Sequence, residues 1–255
     1  MSVETCPCYN IEKSDNSRED SKTILMKSVL VVSATRGNQS NFFANTHLGI
    51  SLTRLRTIPL ITALIRFECT AGIPYIYNMA ITEENRDKIL LFIHDDVRID
   101  DWHLLVRLNE ALASFDVVGV AGNRRRVPGQ PSWAFSKILN GRLQWDDQVN
   151  LCGAVAHFNG LTDTISWYGS VNGDECKLLD GLLLAVRCET LLSANVRFDT
   201  SFNFHFYDLD FCRSCEKAGL RMGTWPIAVT HASGGSFGSQ QWLQGYSLYL
   251  SKWGE

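Results

Sequence analysis

The chain has no apolar run approaching the roughly 18–20 residues that a membrane-crossing helix needs, so no transmembrane segment is expected. Its first 22 residues, MSVETCPCYNIEKSDNSREDSK, lack the apolar core of a secretion signal. They are polar and acidic, so residues 1–22 are expected to be a disordered tail before one domain over 23–255. Charge of neither sign prevails: 24 Lys and Arg face 27 Asp and Glu, a net charge of −3. That balance gives no reason to expect nucleic acid as a partner, and peripheral association with a membrane stays open. Repeats and low-complexity linkers are absent too. A cytoplasmic protein is the expectation. With 255 residues, 45% hydrophobic and 20% charged, it has enough apolar material for one large core or two small ones.

Also missing, after the first apolar strand, is a glycine-rich loop bearing a lysine, which could cradle a triphosphate. Ala34–Ser40 offers Arg36 and a single glycine. A nucleotidyltransferase is therefore disfavoured. The eight cysteines include Cys6 and Cys8 in the tail and a C-x-x-C pair, Cys212 and Cys215. These four could hold zinc, but the pair falls in a helical pattern where i,i+3 spacing puts both on one buried face. Zinc pairs usually sit on turns, so reduced, buried thiols are expected instead.

The richest stretch is Lys88–Val97, KILLFIHDDV. Residues 89–93 are short, continuous and apolar, as in a strand buried on both faces. The run ends abruptly in His94, Asp95 and Asp96. Carboxylates side by side at a strand end repel unless a cation neutralises them, and in open α/β sheets that end is where ligands collect. Asp100 or Asp101, just before Trp102, is the expected cap of the next helix; Asp95 and Asp96 stand too early for that. A metal site holding a phosphorylated ligand is the favoured reading.

Around this stretch strands and helices alternate. SVLVVS (28–33) reads as a first buried strand, followed by the polar turn Ala34–Asn38. LITALIRF (60–67) is a second strand, and a helix opened by Pro74 runs to about Thr82. Residues 89–93 form the third strand, 102–115 an amphipathic helix, and DVVGVA (116–121) a fourth strand. Such alternation argues for a mostly parallel sheet with right-handed crossovers. From 123 to 180 turn residues interleave with Trp133, Trp145, Trp167 and Tyr168, rings suited to a core or to sugar faces. Strand pieces at 155–158 and 182–186 follow, then a helix over 207–219 with Gly219 just past its end. A strand over 224–230 ends at His231, before the glycine-rich loop 234–238 and a last helix over 240–252. The basic run Arg124–Arg126 is either a solvated surface or a contact for an anionic acceptor or for phosphates.

These landmarks, in this order, resemble the GT-A glycosyltransferases, close to the inverting family 2 and a glycosyltransferase-like branch of it. SVLVVSATR matches the opening nucleotide-binding strand, and GIPYIYNMAI (72–81) the helix before the metal motif. ILLFIHDDV matches the DXD-bearing strand, LLDGLLLAVR (178–187) the acceptor-side Asp-Gly segment, and FYDLDFCRSCEKAGLRMGTWPIAVTH (206–231) the block from the acidic pair to the histidine. The resemblance covers about residues 28–253. It implies an α/β GT-A fold: a Rossmann-like, mostly parallel central sheet flanked by helices, with an acceptor-side subregion. A nucleotide-binding half would span 27–123 and an acceptor-binding half 124–255.

The activity implied is metal-dependent inverting transfer of a sugar from a UDP- or GDP-sugar to a hydroxyl acceptor, whether glycan, lipid-linked or polysaccharide. Asp96 and His231, from two strand ends, would close around Mn²⁺ or Mg²⁺, and Asp208 would act as base. Ser33, Ala34, Thr35, Arg36, Asn78, His94 and Asp95 would contact the donor. Two positions depart from the family pattern: His94 stands at the first DXD acid, and Tyr207 at the first acid of the Glu-Asp pair. Asp210 and Asp180 are the fallback bases. A catalytically inactive carbohydrate- or nucleotide-binding protein is the other reading.

Overall fold

The computed structural model describes residues 26–170, 173–234 and 237–254. The stretch 1–22, with Cys6 and Cys8, lies outside the described residues. The β-branched run Val29–Ala34 forms β1, buried almost throughout. Two helices not anticipated from the sequence follow, α1 (Gln39–Asn45) and α2 (His47–Leu55). Asn38 accepts a hydrogen bond from the Asn41 N–H and Thr46 one from Gly49, so each helix opens on a side-chain cap. The signal of α1 is weak because it is polar and buries only Phe42.

Next come β2 (Ile61–Arg66), α3 (Ile73–Ala80, with Pro74 in its first turn), β3 (Ile89–Ile93), β4 (Val97–Ile99) and α4 (Leu104–Ser114). β3 has the expected bounds and is wholly buried. The expected cap of α4 is replaced by local turns. Asp101 accepts from the His103 N–H at 2.8 Å, while Asp100 pairs with Arg98 and accepts from the Thr230 hydroxyl.

The strand expected over 116–121 is two: β5 (Val117–Gly119) and β6 (Ala121–Asn123), in different sheets. A hairpin of β7 (Phe135–Leu139) and β8 (Arg142–Trp145) leads to β9 (Leu151–Phe158) and β10 (Asp163–Trp167). Then follow β11 (Glu175–Cys176), β12 (Leu178–Leu179), β13 (Leu183–Arg187), α5 (Cys188–Ala194) and α6 (Tyr207–Lys217). Gly219, at φ +77°, ends α6 as expected. The single strand expected over 224–230 is again two, β14 (Met222–Thr224) and β15 (Val229–His231). Pro226 lies between them and has no N–H for a ladder. The last helix is α7 (Gln240–Trp253).

The main sheet has the order β11-β14-β5-β13-β3-β1-β2. β1, β2, β3, β5 and β14 share one direction, and β13 and β11 run against them. The sheet is thus mainly parallel, with helices packed on it. A second sheet, β12-β6-β9-β15-β4 with β10 beside β9, stands against the carboxyl end of β3. Cys212 and Cys215 are buried on one face of α6, as their spacing suggested. Across the core, the Phe198 and Phe211 rings stack at 4.1 Å, and Phe92 meets Tyr77 at 4.7 Å.

Candidate active site

Strand register builds the site. β4 leaves β3 at the His-Asp-Asp turn, and β15 pairs with β4 so that His231 faces Val97; the Ala232 N–H donates to the Asp96 carbonyl at 3.0 Å. Two residues far apart in sequence, Asp96 and His231, are thereby pinned together. Their Oδ2 and Nε2 atoms lie 3.4 Å apart. On the other side β13 runs antiparallel to β3, and the His94 N–H donates to the Leu182 carbonyl. That places Asp180 and Gly181 beside the same turn. Among the described residues one group of metal-ligating side chains converges: His94, Asp96 and His231 offer ligand atoms within 4.8 Å of one another.

The electrostatics suit a cation. Burial opposes ionisation of Asp96, yet the His231 hydrogen bond and the neighbouring imidazoles outweigh it and hold the carboxyl at about 2. Asp96 Oδ1 is buried and has no hydrogen-bond partner among the described residues. An ionised carboxylate with one oxygen buried and unsatisfied is costly unless something positive completes it. Burial lowers the His94 pKa and keeps that imidazole neutral, as a metal ligand must be. His231 is raised: burial acts against its charged form, but Asp96 prevails. Ser233 Oγ lies 3.1 Å from its Nε2.

Asp208 sits in the first turn of α6 and accepts from the Gly181 N–H at 3.1 Å. The dipole of α6 favours its ionised form at that position. Instead burial and the nearby Asp180 charge push it up to about 7. Asp180 accepts from the Trp133 indole N–H (2.8 Å) and the Leu182 N–H (3.0 Å). Asp210, a fallback base, is fully buried and bound to Lys252 and to the Trp253 indole, which ties α6 to α7. The Tyr207 hydroxyl donates to the Gly181 carbonyl and lies 2.8 Å from His94 Nε2. Gly181 has to be glycine, because a Cβ there would come within 2.5 Å of that hydroxyl.

A cleft of about 1030 Å³ opens from this turn along the end of β1. Ser33, Ala34, Thr35, Arg36, His94, Asp95 and Asp96 all line it, so the expected donor contacts come together. Asn78 does not line it. Its side-chain amide exchanges two hydrogen bonds with the Phe198 backbone and so straps α3 to the chain before α6. The sequence reading missed the opposite wall, where Phe202, Asn203, Phe204 and His205 face Gln241 and Gln244 of α7. Its one local signal is the aromatic alternation of SFNFHF (201–206). Residues 235 and 236 of the glycine-rich loop lie outside the described residues.

Beside the acids, buried Trp133 meets Tyr168 edge-on at 5.0 Å, and exposed Trp145 stacks on Tyr168 at 6.3 Å. Arg124, Arg125 and Arg126 are each engaged by a carboxylate, of Asp174, Asp146 and Glu216 respectively. Among the described residues no helix is long and apolar enough to cross a membrane.

The model of the Glycosyltransferase like family matches residues 64–233, well over half the chain. No curated protein matches the sequence. Among solved structures, the chain is similar to GalNAc-T7 crystallised with UDP, GalNAc and Mn²⁺, at 11% identity and a TM-score of 0.51. That match covers 89% of this chain and 48% of the other, so the chain spans about half the length of that relative. A mannosyltransferase from Pyrobaculum calidifontis, in complex with GDP-Man and Mn²⁺, is similar at 15% identity and a TM-score of 0.44, over 89% of this chain and 63% of the other. The mainly parallel sheet, the flanking helices and the likeness to the GalNAc-T7 structure make the fold GT-A. With a family model matched from β2 through the histidine of β15, the chain belongs to the Glycosyltransferase like family.

Proposed function

We propose that the protein is a metal-dependent inverting glycosyltransferase that moves a sugar from a nucleotide-sugar donor to a hydroxyl acceptor. The observation that carries this is the Asp96 oxygen, buried and without a hydrogen-bond partner among the described residues, in a cluster with two imidazoles; Asp96 and His94 line the cleft that also takes in the end of β1. Both structural relatives were solved with Mn²⁺ and a uridine or guanosine diphosphate compound. In this chain Asp96 and His231 would hold the ion. Carboxylate together with imidazole suits Mn²⁺ better than Mg²⁺, which prefers oxygen and water. When bound, the metal supplies Lewis-acid charge to offset what develops on the departing diphosphate.

The chain's own residues do the rest. The turn Ala34–Arg36 and Asp95 face the nucleoside and its phosphates. Asp208 takes the proton of the acceptor hydroxyl as that oxygen bonds to the anomeric carbon; the bond from that carbon to the diphosphate breaks, and a nucleoside diphosphate leaves. A carboxyl near 7 is poised for this, basic enough to accept a proton and still ionised in good part at neutral pH. The acceptor approaches from the side of Asp180 and the Trp133–Tyr168–Trp145 rings.

A panel of UDP- and GDP-sugars in a thermal-shift assay, with Mn²⁺ or with chelator, tests the donor side. At least one donor should raise the melting temperature only when metal is present, since a ligand that binds the native state alone stabilises it by mass action. No shift with any donor, or a shift indifferent to chelator, overturns the metal-dependent reading.

A further inference from the structure

Building on the glycosyltransferase reading, we propose that Tyr207 is a positioning residue: its hydroxyl selects the His94 tautomer that leaves Nδ1 free for the metal, making His94 a third protein ligand beside Asp96 and His231. Proton counting fixes the direction of each hydrogen bond. A phenol hydroxyl has a single proton, and the Gly181 carbonyl, 2.8 Å away, can only accept one. The Tyr207 proton is therefore committed to Gly181. His94 Nε2, also 2.8 Å from the Tyr207 oxygen, must then be the donor of its own hydrogen bond. An imidazole protonated at Nε2 carries its lone pair on Nδ1. Histidines that bind metals commonly give their second ring nitrogen to such an outer hydrogen-bonding partner, which fixes both tautomer and ring orientation.

The surroundings hold the arrangement in place. Phe204 stacks on the His94 ring at 5.6 Å, and Tyr207 is buried. The missing Cβ of Gly181 is what lets the hydroxyl approach the backbone so closely. The ligand atoms of His94, Asp96 and His231 already lie within 4.8 Å of one another.

The first test needs neither metal nor activity. In metal-free protein with ¹⁵N-labelled histidine, long-range NMR correlations should show His94 as the Nε2–H tautomer. In Tyr207→Phe the same ring should become a tautomer mixture. Mn²⁺ binding, measured by electron paramagnetic resonance with the ion alone and with added UDP or GDP, should weaken about 10–100-fold in Tyr207→Phe. It should weaken at least as much in His94→Ala. In the His94→Ala background, Tyr207→Phe should cost nothing further, because Tyr207 acts through His94. A native His94 protonated on Nδ1, or unchanged Mn²⁺ affinity in His94→Ala, overturns the proposal even if Tyr207→Phe does not fold. Native Mn²⁺ binding that follows this pattern, without turnover of any nucleotide sugar, sinks the transferase reading and leaves this one standing.

Discussion

At Asp96 one carboxylate faces two demands: it is partly buried, with Oδ1 out of reach of solvent, and it is ionised. With its pKa held at about 2 against roughly 3.9 for an unfolded Asp, it stabilises the fold above about pH 4, and that contribution is lost as pH falls toward 2. Asp96→Ala should abolish turnover and the Mn²⁺-dependent part of nucleotide binding, and His231→Ala should weaken both; calorimetric titration of UDP or GDP with and without Mn²⁺ reads this directly. Asp208 has the opposite sign. Its folded pKa, about 7, lies above the unfolded value, so between about pH 4 and 7 the native state holds a proton that the unfolded chain releases. Stability therefore falls as pH rises through that window, at up to about 1.4 kcal/mol per unit. Asp208→Asn should thus melt higher than the native protein at pH 8 and about equally at pH 4. It should bind donor and metal normally yet turn over at least ~100-fold more slowly, as expected for loss of a general base. In the native enzyme kcat/KM should climb through pH 7 as Asp208 ionises. Near-normal turnover in Asp208→Asn would move the role to Asp180, since Asp210 is already committed to Lys252 and Trp253.

Between elements, the site depends on two close approaches. Gly181, just before β13, lets α6 bring Tyr207 and Asp208 against the strand. A Cβ there would meet the Tyr207 hydroxyl at 2.5 Å and the Asp208 Cβ at 2.8 Å. Gly181→Ala should cost about 1–3 kcal/mol by overpacking, read from chemical denaturation, and should reduce turnover as well. The α6–α7 staple is the second. Lys252→Met strands the fully buried Asp210, which should cost about 2 kcal/mol. That is less than the ~3–5 of a wholly buried pair because the Lys252 side chain is 32% exposed. Legibility differs sharply between elements. β3 was readable to the residue, because a strand buried on both faces is a continuous apolar run with an abrupt polar end. The split of 116–121 into β5 and β6 was not, since both pieces are equally buried and nothing local marks the change of sheet. Helix α1 escaped because it is polar and buries only Phe42; α2 does carry an apolar stripe, Leu48, Leu52 and Leu55, which is short and begins directly at its cap Thr46.

Across the whole molecule, the cleft joins parts that a linear reading keeps apart. The donor wall at the ends of β1 and β3 was legible, because strand ends followed by polar turns collect ligands in this kind of sheet. The facing wall, from residues 202–205 and α7, was not, because contacts over so long a separation leave no periodic mark in the sequence. The same holds for His94 and Tyr207, 113 residues apart. Each stood out as a departure, and only the fold shows that they touch. The most direct test of the central claim is release of nucleoside diphosphate from a panel of UDP- and GDP-sugars by the native protein and by Asp96→Ala. At least one donor should yield free UDP or GDP with Mn²⁺ present, and the yield should vanish with chelator and in Asp96→Ala. Release that persists unchanged in Asp96→Ala, or none from any donor with or without a hydroxyl acceptor, would contradict it.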